Sequence, residues 1–218
     1  MKHYYFCKAY LIILSLFLAP IFIPEGALAQ QLRVAEFSIF AGAPTQSGGG
    51  VVLGSSTSVS GGSIGSYLTI QSTGTSSIGG NLHSGGTITL TNSNSVGGNI
   101  TVANSAGFTG NSLLIGSSAT ISGNIDVNGN ILIGGGSITG KVTHPVNTSY
   151  MGPTPLGGRF VAVPEIPVLP SMPLINDFTN AGTVLISNNK VISPGSYGKM
   201  ALTGNKRVTF SGIGTYVF

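Results

Sequence analysis

The sequence predicts an all-β chain wound as a parallel β-helix, a β-solenoid with about 18 residues per coil. Three observations lead there. A short phrase recurs with an apolar residue on either side of a Gly-Asn or Gly-Lys pair, at Ile78–Leu82, Val96–Ile100, Ile121–Ile125 and Ile138–Val142. Gly or Asn also returns at every sixth position, through Gly74, Gly80, Gly86, Asn92, Gly98, Asn104, Gly110 and Gly116. Finally, only 6% of the 218 residues are charged, while glycine alone supplies 34.

The hexad grid defines the corners. After Gly116 one residue is inserted, and the grid resumes at Gly123, Gly129 and Gly135, with Gly140 one residue early. Gly and Asn enter φ > 0 most readily, so each grid point is expected to turn the backbone. Apolar residues keep phase two positions before the grid, at Ile78, Leu90, Val96, Val102, Phe108, Leu114, Ile121, Val127, Ile133 and Ile138. They do so two positions after it at Leu82, Ile88, Ile100, Ile125, Ile131 and Val142. Three hexads close one triangular coil. A single coil cannot bury its own inward side, but coils stacked about 4.8 Å apart pair every strand and line up a continuous core.

Residues 1–29 read as a secretory signal: Lys2, His3 and Lys8 precede an apolar run, and an Ala-Leu-Ala ends at Ala29. The run is too short and too proline-broken for a bilayer span, so no membrane span is expected after cleavage. Cleavage removes Cys7, the only cysteine, which excludes disulfide and thiol chemistry from the mature chain. Residues 30–50 form an entry or cap segment, and 51–144 the solenoid. Residues 145–176 hold seven of the eleven prolines and read as an extended connecting segment. Its apolar residues, among them Phe160, Val163, Ile166 and Val168, favour packing along the solenoid over a free tether. Strands return in 177–218, a β-module expected to be incomplete because the sequence stops inside "TYVF".

The hexad stretch resembles the bactofilin-type, polymer-forming β-helices of bacteria, through [I/V]-x-G-[N/K]-[L/I/V] at Ile78, Val96, Ile121 and Ile138. The tail, with Pro194-Gly195, Tyr197-Gly198, Gly204-Asn205 and "GTYVF", resembles a motif of secreted surface proteins from Bacteroidetes-like bacteria. Together these resemblances imply a repeat scaffold, and with the leader they imply an exported one.

Catalytic material is sparse. The mature carboxylates are Glu36, Asp126, Glu165 and Asp177, and nothing in their spacing pairs two of them for glycoside hydrolysis. Asp126 and His144, one regular coil apart in the sequence, would stack on adjacent coils, and Ser122 or Ser137 could complete a hydroxyl–imidazole–carboxylate set. The plainer expectation is a solvated pair with no catalytic, cofactor or metal site. His83, beside Asn81 and Asn99, is likewise expected at the surface rather than on a metal. Basic residues cluster only at Lys199, Lys206 and Arg207, too few for a nucleic-acid face.

The expected function is a secreted or cell-surface structural or adhesive module with no enzymatic activity. Its expected partners are another copy meeting it end to end, a downstream domain of a longer chain, or a surface polysaccharide. A carbohydrate-active or carbohydrate-binding β-helix is one alternative. An ice-binding face built on the Thr87–Thr91 run is the other.

Overall fold

The computed structural model describes residues 29–41, 50–171, 182–202, 204–214 and 216–217. Residues 1–28, which hold nearly all of the expected signal 1–29, the stretch 42–49 and residues 172–181, which include the end of the connecting segment, lie outside the described residues, as do positions 203, 215 and 218. The described chain forms two compact units, divided at Pro170/Ser171.

The first unit is the β-solenoid. Its strands fall into three parallel sheets, each taking every third strand. The first sheet stacks Phe37–Ala41, Ser63–Ser66, Leu82–Ser84, Ile100–Val102, Ile125–Val127, Val142–His144 and Arg159–Val161. A second runs from Gly50–Leu53 through Thr69–Ser72, Thr87–Leu90, Asn111–Ile115 and Asn130–Ile133 to Tyr150–Met151. The third holds Thr57–Val59, Ser76–Ile78, Asn94–Val96, Ala119–Ile121 and Gly136–Ile138. Ile64, Leu82 and Ile100 stand in register, one per coil, which is the coil length that three hexads predict. Inside, a continuous column of Ile, Leu and Val is removed from solvent, including Ile64, Ile70, Leu82, Ile88, Ile100 and Ile125 at 0% exposure. Burying one such side chain contributes about 1.5–3 kcal/mol, and no coil could do so alone.

Two of the three corners are made in different ways. Between second and third sheets the backbone passes through left-handed residues: Ser56 (φ 59°), Asn92 (φ 66°), Ser118 (φ 63°) and Gly136 (φ 110°). The glycines Gly80, Gly86, Gly98, Gly110, Gly116, Gly123, Gly129, Gly135 and Gly140, expected to turn the chain through φ > 0, do not take positive φ. Close approach explains the column at the corner between third and first sheets. Gly62, Gly80, Gly98, Gly123, Gly140 and Gly157 sit one above another. A methyl on Gly98 would lie 2.7 Å from the Gly80 carbonyl carbon and 2.8 Å from the Asn81 nitrogen. Gly123 meets Gly98, and Gly140 meets Gly123, in the same way. Beside this column runs an asparagine ladder. The Asn99 N–H donates to Asn81 Oδ1 (2.8 Å), the Asn124 N–H to Asn99 Oδ1 (2.8 Å) and the Lys141 N–H to Asn124 Oδ1 (3.0 Å).

One coil departs from the grid. Ile100 pairs with Ile125, well beyond the position that a regular coil would reach. The excess is one hexad plus one residue. It forms a surface excursion around Asn104–Gly110, pinned by Phe108 N–H to Asn104 Oδ1 (2.8 Å) and Asn104 Nδ2 to the Phe108 carbonyl (3.1 Å). Phe108, expected inside, is therefore exposed. Leu114, also expected inside, faces outward between the buried Leu113 and Ile115. An insertion of that length keeps the Gly/Asn spacing almost unbroken, which hides the excursion.

The solenoid also extends past the expected limits of 51 and 144. Phe37–Ala41 pairs with Ser63–Ser66, Tyr150–Met151 with Asn130–Ile133, and Arg159–Val161 with Val142–His144. After Val161 the chain crosses the outer face of the first sheet, from the edge at Arg159–Val161 to the edge at Phe37–Ala41. Prolines at 164, 167 and 170 match the period of polyproline II. Pro164 and Pro170 are buried, whereas Val163, Glu165 and Val168 are exposed. This strap is fastened at its far end. The Leu32 N–H donates to the Val168 carbonyl and the Val168 N–H to the Gln30 carbonyl, both at 2.9 Å, and the Tyr67 hydroxyl donates to the Pro170 carbonyl.

In the second unit Lys190–Ile192 pairs in parallel with Val208–Phe210, and Gly195–Ser196 with Tyr216–Val217. The corner chemistry of the first unit returns here. The Arg207 N–H donates to Asn189 Oδ1 (2.7 Å), immediately before the paired strands.

The glycine column yields a direct contrast. Gly98→Ala forces backbone apart at a stacked corner and should cost about 1–3 kcal/mol. Gly54→Ala, with nothing within 4 Å of the added carbon, should leave stability within about 0.5 kcal/mol. Thermal or urea unfolding followed by circular dichroism measures both, and equal effects would contradict the stacking account.

Candidate functional site

In the first sheet the inner strands Leu82–Ser84, Ile100–Val102 and Ile125–Val127 are buried on both faces, because the strap covers what would be the solvent side. Along that outer face one side chain per coil stands in register: His83 beside Thr101, Thr101 beside Asp126, Asp126 beside Thr143. Their exposures are 5%, 5%, 7% and 5%. Alternation along each strand explains the placement, since Leu82 and Ser84, Ile100 and Val102, and Ile125 and Val127 point inward. Sheet and strap enclose a groove of about 760 Å³. Its sheet wall is polar, with His83, Thr101, Asp126 and the ladder Asn81, Asn99 and Asn124, while Pro164, Ile166 and Pro167 of the strap stand opposite. Glu36, Glu165 and Lys141 lie along its edges.

His83 is held from three sides. Its Nδ1 lies 2.8 Å from Thr101 Oγ1. Phe37 meets the ring edge-on at 5.7 Å, and Gly65 precedes it in the column with no side chain to displace it. Burial lowers the imidazole pKa to about 4, with the Glu36 carboxylate opposing. The expectation of a surface histidine thus fails because the strap and Phe37 cover this face.

At Asp126 burial pushes the carboxyl above the usual carboxylate range, and Glu165 adds to the shift. The neighbouring Thr143 hydroxyl and Lys141 oppose it, although the Thr143 hydroxyl does not reach hydrogen-bond geometry. Asp126 Oδ1 and Thr143 Oγ1 are both buried without a hydrogen-bond partner among the described residues.

The Asp126–His144 pair is not brought together. The coil between these strands is one residue shorter than the regular one, so Asp126 stands beside Thr143. His144, one residue on, falls on the opposite face of the sheet. It is buried there, its Nδ1 3.0 Å from Thr148 Oγ1 and its ring stacked on Tyr150 at 6.4 Å. Ser137 is exposed on the third sheet, and Ser122 is exposed at a corner. Among the described residues no three His, Cys, Asp or Glu side chains gather to hold a metal, and no helix is long and apolar enough to cross a membrane.

A second surface lies on the third sheet. Ser58, Ser77, Ser95, Thr120 and Ser137 form an in-register outward column, every member exposed. Ser56, Thr75, Ser93 and Ser118, two positions earlier in each coil, make a second exposed hydroxyl row. The Thr87–Thr91 run builds no such ladder, because Thr89 stands between Gln71 and Leu114.

The apolar residues of the connecting segment indicated packing along the solenoid, and the segment does pack there, but sequence reasoning did not find the groove. The Gly-Asn phrase marked its Asn wall as a corner, and nothing local places residues 163–167 opposite that wall. The proline period at 164, 167 and 170, facing a column of outward polar residues, was the available signal. In comparisons with known proteins, the chain matches no family, no curated protein and no solved structure.

The buried imidazole makes stability depend on pH. In the folded state His83 stays neutral down to about pH 4, whereas unfolded histidine protonates near pH 6.5. Acidification across that window therefore favours the unfolded state, by an amount on the order of 2–3 kcal/mol. Asp126 acts in the opposite sense: its raised pKa lets the folded chain take up a proton first, adding stability as pH falls through that value. Urea unfolding of His83→Gln at several pH values isolates the histidine. The variant should lose less stability than wild type as pH falls from neutral to about 4, and parallel curves would contradict the assignment.

Proposed function

We propose that the chain is an exported structural and adhesive module, a solenoid at or beyond the cell surface that binds through the hydroxyl face of its third sheet. One observation carries this reading: the exposed column Ser58–Ser77–Ser95–Thr120–Ser137 with its flanking row from Ser56 to Ser118. This regular surface of hydroxyls, free of charge, repeats at the coil spacing. It can donate and accept hydrogen bonds without the desolvation cost of ionised groups. The leader-like residues 1–29 and the resemblance to bacterial polymer-forming repeats support export and a scaffold role. End-to-end pairing with another copy or a downstream module belongs to the same reading, since an edge of a parallel ladder offers unpaired backbone donors and acceptors. The reading assigns no catalysis to the chain.

The test uses the mature chain, residues 30–218, and the triple variant S77E/S95E/T120E. Retention on cellulose, chitin and peptidoglycan particles is measured, together with sedimentation velocity across protein concentrations. Wild type is expected to be retained or to self-associate. The variant, whose three stacked like charges lower its melting point somewhat, is expected to unfold cooperatively and to lose about tenfold in whichever is observed. A strict monomer retained on none of the particles, or a variant that behaves as wild type, overturns the proposal.

A further inference from the structure

We propose that the groove between strap and first sheet is a binding site for a neutral glycan chain. The proposal goes beyond the adhesive reading and does not rest on it, because the hydroxyl face belongs to a different sheet. Four features of the groove point the same way.

The first is unspent hydrogen-bonding capacity. Asn99 and Asn124 use their Oδ1 atoms on the next coil's backbone, but their Nδ2 groups have no protein acceptor among the described residues. Asp126, only 7% exposed and lining the groove, keeps Oδ1 without a partner. Buried polar groups are normally satisfied, and an unsatisfied carboxylate at a cavity is costly unless something occupies it. A ligand that meets amide donors and a carboxylate acceptor on one wall must both accept and donate, as a sugar hydroxyl does.

The second is the opposite wall. Pro164, Ile166 and Pro167 are apolar and lie along an extended strap. A pyranose ring has an apolar C–H face and a hydroxyl rim, so it matches a slot with one apolar and one polar side. A peptide strand would instead need a free ladder edge, and here the sheet presents its face.

The third is charge. Glu36, Asp126 and Glu165 outweigh Lys141 around the groove, which disfavours uronic acids and other anionic glycans. The fourth is spacing and size. The amides repeat with the stacked strands, about 4.8 Å apart, close to the advance of one sugar residue along an extended chain. The volume of about 760 Å³ falls within the range of small-ligand sites.

The test titrates the mature chain with cellotetraose, mannotetraose, xylotetraose, fully N-acetylated chitotetraose and tetragalacturonate, followed by calorimetry and amide chemical shifts. At least one neutral tetrasaccharide is expected to bind, with shifts at Asn99, Thr101, Asn124 and Asp126, and tetragalacturonate to bind more weakly. Asp126→Asn and Asn124→Ala should each weaken binding about tenfold. The hydroxyl-face variant S77E/S95E/T120E should bind as wild type, which separates this site from the adhesive face. Should Asp126→Asn fail to fold, Asn124→Ala, at a more accessible corner, carries the test. Absence of binding by all four neutral sugars at millimolar concentration overturns the proposal. So does binding that both groove variants leave unchanged, or shifts that map elsewhere.

Discussion

Close approach of backbone to backbone at one corner underlies the rest of the structure. At the turn from third to first sheet, Gly80 sits against Gly62, Gly98 against Gly80 and Gly123 against Gly98, with no room for a side chain between them. That contact lets successive coils stack at strand spacing where the chain bends, where a turn would otherwise splay them. The asparagine beside each glycine then captures the next coil's N–H through Oδ1. Both effects repeat once per coil, so together they hold register along the ladder. Correct register keeps Leu82, Ile100 and Ile125 inside and His83, Thr101 and Asp126 outside.

Much of this was legible in the sequence, for physical reasons. A repeat imposes one local solution many times, so the apolar phasing of Ile78, Val96, Ile121 and Ile138 announces both corner and core. Legibility failed where the repeat concealed a departure. The excursion at Asn104–Gly110 keeps the Gly/Asn rhythm, and so Phe108 and Leu114 read as core although both face outward. It failed again where one pattern served two causes. Every Gly or Asn grid point suggested positive φ, but among them only Asn92 and Asn104 take it, alongside Ser56 and Ser118, and the stacked glycines Gly80, Gly98, Gly123 and Gly140 answer to crowding. The groove was beyond a local reading altogether. Asp126 reads as a solvated carboxylate until a strap from much further along the chain lies over it. One missing residue in the coil that follows it separates it from His144.

The strap gives the first sheet a different character from the other two. Its prolines contribute no ladder donors, so it covers the sheet without extending it, and its proline period keeps one edge against the solenoid. Beneath it lie an imidazole kept neutral and a carboxyl pushed up by burial, each held in a column that the sheet's register dictates. The third sheet bears the opposite solution, open hydroxyl rows with no covering segment among the described residues. One repeated corner thus builds a strap-covered polar face with a groove beneath it and an open one on the same coil.

The claim that the asparagine ladder fastens coil to coil can be tested at single amides. Hydrogen exchange followed by NMR should find the Asn99, Asn124 and Lys141 N–H groups protected although they sit at a solvent-facing corner. In Asn99→Ala the Asn124 amide loses its acceptor, and its protection should fall about tenfold or more while Ile100 and Ile125 stay protected. An Asn124 amide that exchanges like an open loop in the wild type, or that is unmoved by the substitution, would contradict the account.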